Sequence, residues 1–368
     1  MQKAKIDAAE LTALMLLFEM GTSVVVGVGM QAKQDAWLAV LIGMGAGLPL
    51  FLLYAALYRR HGYQSLIGCL QALFGKPLGN LVSILYMVYF FYIAARVLRD
   101  FGGLLLSSIL PLTPMEVVNF VMVIPVIYAC LLGIETIGRV GEIFLGVIVL
   151  LGLLSIFLLV ASDVIHLENL MPPFVNGWKP VLQTAFPQTL TFPFGETVVF
   201  TMLLPCLNKP HLARRVGMAA ILISGLALSF IIAANISVLT AYGAENATFP
   251  LLKTLGKIRL GEFIERLEVI AIITLIIGGF FKITVFLYAS VTGLIEVFRI
   301  ERRKKLTIVC IGGLLFLYSL VMTGNYIEHI EVGLKIVPLY LHLPFQVGVP
   351  LLLLALTWLR GRDQAQGR

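Results

Sequence analysis

The chain has 368 residues, of which 59% are hydrophobic and 13% charged, with a formal net charge of +7. Soluble domains carry about a quarter charged residues, so the composition excludes a disordered chain, a disulfide scaffold and an ordinary cytosolic enzyme. It describes an integral membrane protein whose first partner is the lipid bilayer. The basic excess then fits Lys- and Arg-rich membrane loops and gives no reason to expect nucleic acid. Cys69, Cys130, Cys206 and Cys310 are isolated, with neither metal-ligand nor redox spacing, and no metal or other cofactor is expected.

A membrane-crossing helix takes about 20 mostly apolar residues. Ten candidates follow in chain order, numbered here as spans 1 to 10: 11–31, 36–58, 80–110, 115–133, 141–162, 183–207, 214–241, 264–298, 305–324 and 336–359. Only 163–182 and 242–263 are connections of any size, so residues 1–368 read as one transmembrane domain. Within 242–263, Leu251, Leu252, Leu255 and Ile258 recur near helical spacing, with Lys253, Lys257 and Arg259 between them. That pattern predicts a partly helical cap over the outer mouth. With a cytoplasmic N-terminus, 17 of the 27 Lys and Arg residues, Lys3 and Lys5 among them, fall on the inner side, 7 on the outer side and 3 within spans. The positive-inside rule therefore predicts that both termini are cytoplasmic.

Spans 1 and 6 are interrupted. Span 1 reads Glu19-Met20-Gly21-Thr22-Ser23-Val24-Val25-Val26-Gly27-Val28-Gly29, a carboxylate followed by hydroxyl residues and three glycines. Span 6 reads Pro187-Gln188-Thr189-Leu190-Thr191-Phe192-Pro193-Phe194-Gly195-Glu196. There Pro193 removes a backbone donor, Gly195 supplies backbone freedom and Glu196 follows at once. Each broken span is the first of five and carries an acid at mid-membrane. The pattern predicts a five-plus-five inverted repeat, residues 11–162 and 183–359, with a ligand site at the midplane. Unwound backbone at that depth has to be buried in protein or line a cavity, and its free N–H and C=O groups suit a small zwitterion.

Further charges lie inside spans, where each needs a partner or water. On span 3, Arg96 and Asp100 are spaced i,i+4 and are expected to pair on a face shared with Tyr92 and Gly103; Arg99 lies beside them. On span 8, Lys282 follows Gly278 and Gly279 and has no acid within a turn on its own face. Its partner is expected on another helix, with Glu19 and Glu196 the two candidates.

Several segments together resemble one family. They are Ala32-Lys33-Gln34-Asp35-Ala36-Trp37, Phe74-Gly75-Lys76-Pro77-Leu78-Gly79, Leu98-Arg99-Asp100-Phe101, the stretch from Gly133 to Arg139 with Glu142, Phe192-Pro193-Phe194-Gly195-Glu196, and Ile258 through Glu268. In this order they resemble the GerAB-like spore germination permeases, a branch of the amino acid–polyamine–organocation superfamily. The resemblance implies an all-α, LeuT-like membrane fold of ten helices. It also implies a B subunit of a nutrient germinant receptor in the inner membrane of a bacterial endospore, working with an A-type membrane subunit and a C-type lipoprotein. Carried onto this chain, the pocket comprises Gly21, Thr22, Gly27 and Gly29 on span 1, to which the reading of the broken span adds Glu19 as a ligand-binding acid. Thr191, Phe192, Pro193, Phe194, Gly195 and Glu196 form its span 6 side. Sodium-coupled relatives of this fold hold a cation between the break in span 1 and span 8; here Lys282 is expected to stand in as a built-in cation. Arg96 departs from the family pattern, where an apolar residue is expected.

Two functions follow from these residues: a non-enzymatic sensor of a small nutrient, first an L-amino acid, or a secondary amino acid transporter. No nucleophile–base pair, metal cluster or phosphate loop supports an enzyme.

Overall fold

The computed structural model describes residues 5–259 and 267–366, apart from the side chains of residue 327 and residues 361–366. Lys3, residues 260–266 of the last family-like segment and the start of span 8, and Arg368 lie outside the described residues.

Among the described residues, nine helical stretches are long and apolar enough to cross a membrane: Ala8–Val26, Met30–Arg60, Leu66–Ser108, Met115–Leu132, Ile134–Ala161, Pro210–Glu245, Glu268–Phe298, Glu301–Val321 and Pro338–Arg360. They correspond to every expected span except span 6. That crossing is present but is not one continuous α-helix. It runs as Trp178–Gln183, a π-wound Thr184–Thr189 and two 3-10 stretches, Phe194–Met202 and Leu204–Cys206.

Three span boundaries differ from expectation for backbone reasons. Span 3 begins at Leu66, well before residue 80. Gly75 (φ 76°, ψ 169°) breaks that helix, which resumes at once with Pro77 in the new first turn, where its missing N–H costs nothing. Spans 4 and 5 have almost no loop between them: Gly133, at φ 92°, ends one and caps the other. Span 10 is preceded directly by the helix Tyr326–Glu331, capped by the Asn325 side chain, and winds on from it through π-turns.

Spans 1, 3 and 8 are the most enclosed, while spans 5, 9 and 10 are peripheral. Span 1 starts from a capping box, with Asp7 Oδ1 accepting from the Glu10 N–H at 2.8 Å and Glu10 Oε2 accepting from the Asp7 N–H at 2.8 Å. Two orphan donors are satisfied reciprocally. The residue before this cap joins the end of span 6: Ile6 N donates to Cys206 O and Asn208 N to Ile6 O, both at 2.9 Å. The two broken spans are thus tied at one end by backbone hydrogen bonds. At the other end, the buried Asp35 carboxylate accepts from the Phe174 N–H (3.0 and 3.2 Å) and anchors the connection that leads into span 6.

The expected cap is helical at Pro250–Leu255, with Thr254, Leu255 and Ile258 buried. Pro250 sits directly on Gly27, where an added Cβ would come within 2.7 Å of the ring. The cap therefore rests on the second half of span 1.

Candidate functional site

The first half of span 1 ends where the Gly21 N–H donates to Leu17 O at 2.9 Å. The chain turns at Thr22 and resumes as the short helix Ser23–Val26. Gly27 and Gly29 follow at φ 72° and 84°, left-handed positions that glycine occupies without steric cost. Glu19 lies on the last turn before this break and is fully buried, with neither carboxylate oxygen hydrogen-bonded. Thr22 and Ser23 are buried with unpartnered hydroxyls.

Lys282 joins the two breaks. Gly278, one turn before it, touches Gly21 so closely that a Cβ there would lie 2.7 Å from Gly21 Cα. Spans 1 and 8 therefore meet backbone to backbone. The Lys282 stem passes over Gly21, and its Nζ ends 2.5 Å from Glu196 Oε2 on span 6. The two groups form a buried ion pair. Two aromatic faces complete the ammonium's surroundings, Phe192 at 4.5 Å and Phe18 at 5.1 Å to the ring centres, a geometry that attracts a desolvated cation. Lys282, Glu19 and Glu196 are all at most 2% exposed; of the two expected partners it is Glu196 that pairs with Lys282, while Glu19 lies buried with no hydrogen bond of its own.

Beside this junction lies a cavity of about 50 Å³ lined by Val26, Arg96, Asp100, Phe192, Glu196 and His342, among others. A water's share of liquid volume is about 30 Å³. The cavity is therefore tight in this state, and a nutrient enters only if it opens. A larger cavity lies elsewhere and is almost wholly apolar.

The expected Arg96–Asp100 pair does not form. The helix that leads into span 10 separates the two: Arg96 Nη2 donates to His329 O at 2.6 Å, while His329 Nε2 stands 2.9 Å from Asp100 Oδ1. Arg96 Nη1 also donates to Tyr92 OH at 3.3 Å, and Gly333 leaves room for the guanidinium. The Tyr326 ring lies against Gly103. The face named from sequence is therefore the right one, but its charges hold the start of span 10 rather than each other. Arg99 turns to span 9, donating to Ser319 O, Leu320 O and Thr323 O at 3.3–3.4 Å. It thereby caps carbonyls that the end of that helix leaves free.

The remaining expected site residues divide by position. Phe192 and Glu196 line the small cavity, and Gly21 flanks the Lys282 stem. Gly27 lies under the cap and Gly29 near Thr189. Thr191 is buried and donates to Gln188 O within its own segment. Pro193 precedes the 3-10 winding. Phe194 is fully buried against Gly47 of span 2, and Gly195 faces Gln346 of span 10.

Hydropathy shows span 10 as no more than a hydrophobic helix, yet it and its leading turns supply much of the polar structure. Tyr89 OH lies 2.8 Å from His342 Nδ1 and accepts from Gln346 Nε2 at 2.8 Å, and Tyr54 OH donates to Gln346 O at 2.6 Å. His329, His342 and Gln346, in or beside an otherwise apolar stretch, are the signal that sequence reasoning passes over.

Two broken helices meeting at mid-bundle, with buried charge at the junction, define a permease-like membrane protein of the LeuT fold. The chain is similar in structure to MhsT, solved in complex with L-phenylalanine, at a TM-score of 0.71 over 96% of this chain and 89% of that one, with 16% sequence identity. The family model described as "Spore germination protein" matches residues 5–327, and the chain belongs to that family. It is 41% identical to spore germination protein KB of Bacillus subtilis (strain 168) over 99% of this chain and 98% of that protein. It is also 29% identical to the putative spore germination protein YfkT of the same organism, over 72% of this chain and 71% of that protein.

Proposed function

We propose that the chain is the nutrient-sensing B-type subunit of a spore germinant receptor and binds a small molecule between the breaks of spans 1 and 6. The observation that carries this is the junction itself. Glu196 lies buried against a single ammonium and Glu19 lies buried at the break with no hydrogen bond, next to unwound backbone and the cavity that Phe192 and Arg96 line. Likeness to spore germination protein KB supports the biological setting, and a LeuT-fold neighbour holding L-phenylalanine supports an L-amino acid as first candidate.

In this proposal the ligand ammonium goes toward the unpaired Glu19 oxygens and Glu196, and its carboxylate toward free N–H groups of the break in span 1. Gly21, Thr22 and Phe192 contact it or its backbone cradle. Gly27, Gly29, Thr191, Pro193, Phe194 and Gly195 shape the two breaks, which belong to repeats 11–162 and 183–359. Lys282 replaces a bound cation, so ligand binding is independent of sodium. The subunit works without an enzymatic step, beside an A-type membrane subunit and a C-type lipoprotein, in the spore inner membrane with both termini cytoplasmic.

A second reading, secondary transport of amino acids, is favoured by the likeness to MhsT. The purified chain in proteoliposomes separates the two. Saturable binding of a labelled nutrient without concentrative uptake supports the sensor. Robust uptake by this chain alone supports the transporter.

A further inference from the structure

A second cavity, about 280 Å³, lies on a different face of span 1 from the small one. Met20 and Val24, which flank the break, form one wall. Ile148 and Leu159 of span 5, Ala234 of span 7 and Ile270 of span 8 form the others, and Thr254 and Leu255 of the cap close one end. An engineered apolar cavity of ~150 Å³ accepts benzene, so this one has the volume for on the order of ten carbon atoms.

Its polar groups are nearly all used. Ser155 Oγ donates to Leu151 O and Thr274 Oγ1 to Ile270 O, each at 2.8 Å. Thr254 Oγ1 donates to Asn235 Oδ1 at 2.8 Å. The exception is Asn235 Nδ2: the residue is fully buried, lines the cavity and leaves this donor without a partner. A zwitterionic nutrient would leave both its charges unpaired here. The chamber instead asks for an apolar chain carrying one hydrogen-bond acceptor. Its rim names the source, because Leu153 and Ile156 of span 5 and Phe230 of span 7 are exposed within membrane-crossing segments and open the chamber sideways to the bilayer.

We propose that this chamber is a binding site for one acyl chain of a membrane phospholipid. The chain enters between spans 5 and 7, an ester carbonyl accepts from Asn235 Nδ2, and the tail lies against Met20 and Val24 on either side of the break. Thr254 holds the Asn235 amide in place from the cap, so the occupant touches both the hinge of span 1 and the segment resting on it. The site is separate from the nutrient site and stands or falls independently of it.

The test uses the full chain in nanodiscs of a phosphatidylglycerol with a photoactivatable diazirine in its acyl chain, with adducts mapped by peptide mass spectrometry. Adducts on the span 5 and span 7 cavity walls, at Ile148 and Ile231 for example, are expected at least fivefold above those on Phe120 and Val121, which face outward on span 4. Ala234→Phe, which fills the chamber, should lower them to that outward level, and Asn235→Leu should lower them in part. Cooperative thermal unfolding of both variants verifies the fold. Labelling no higher than at Phe120 and Val121, or unchanged in a folded Ala234→Phe protein, overturns the proposal.

Discussion

Two buried charge clusters hold the bundle together, and they do so differently. Around Lys282, every ionised group is out of water, and one ammonium joins span 8 to span 6 across a glycine contact with span 1. Around Arg96 and Asp100, the Asp100 side chain is 16% exposed and its partner is an imidazole, while the guanidinium leans on a backbone carbonyl. The first cluster is a closed pair whose halves depend on each other. The second is a clamp from span 3 onto the start of span 10, with water within reach. Removing one partner of a buried ion pair strands a charge, at about 3–5 kcal/mol, whereas replacing both by apolar groups is often neutral. A part-exposed polar contact costs less to lose, about 1–3 kcal/mol.

The largest expected effect follows directly. Lys282→Ala should lower unfolding stability in micelles by about 3–5 kcal/mol, and Lys282→Leu combined with Glu196→Leu should recover most of the loss. If the double variant is as unstable as the single, the pair is not closed in the sense described. Lys282→Arg should be poorly tolerated, because a planar fork cannot replace a compact point charge between two rings; nutrient binding and thermal stability both report it.

Next in size, His329→Phe should cost about 1–3 kcal/mol by leaving Asp100 without its partner. Hydrogen exchange should rise along residues 326–336 and stay unchanged around Lys282. Protection lost equally at both clusters would mean that they form one unit. Arg99→Gln should be smaller, about 1 kcal/mol, since it removes a cationic cap from one helix end; faster exchange confined to the last turn of span 9 is its signature. Smallest is Asp35→Asn, which weakens one carboxylate anchor on the Phe174 N–H by about 0.5 kcal/mol and should increase proteolysis within 163–177 without changing nutrient affinity.

The two clusters also differ in how far the sequence exposes them. Lys282 lacks an acid on its own face, and only Glu19 and Glu196 stand at the right depth, so its partner narrows to two. The breaks are legible because proline and glycine act on the backbone locally. The Arg96–Asp100 spacing is equally local and misleads. Helical periodicity places two side chains on one face but says nothing of a third helix whose carbonyl and imidazole compete for them. Span 10 hides its part because a few polar residues in an apolar stretch barely alter its hydropathy. The cap is legible as an amphipathic stripe, but its seat on Gly27 is a tertiary contact that no periodicity contains.

The proposed nutrient site is the junction of spans 1, 6 and 8. The most direct test is equilibrium binding of labelled L-amino acids, sugars and nucleosides to the purified chain, in sodium-containing and sodium-free buffer, with Glu196→Gln measured alongside. The account predicts that at least one nutrient binds equally well with and without sodium, and that a folded Glu196→Gln protein loses tenfold or more in affinity. Unchanged affinity in that variant, or binding that requires sodium, would contradict it.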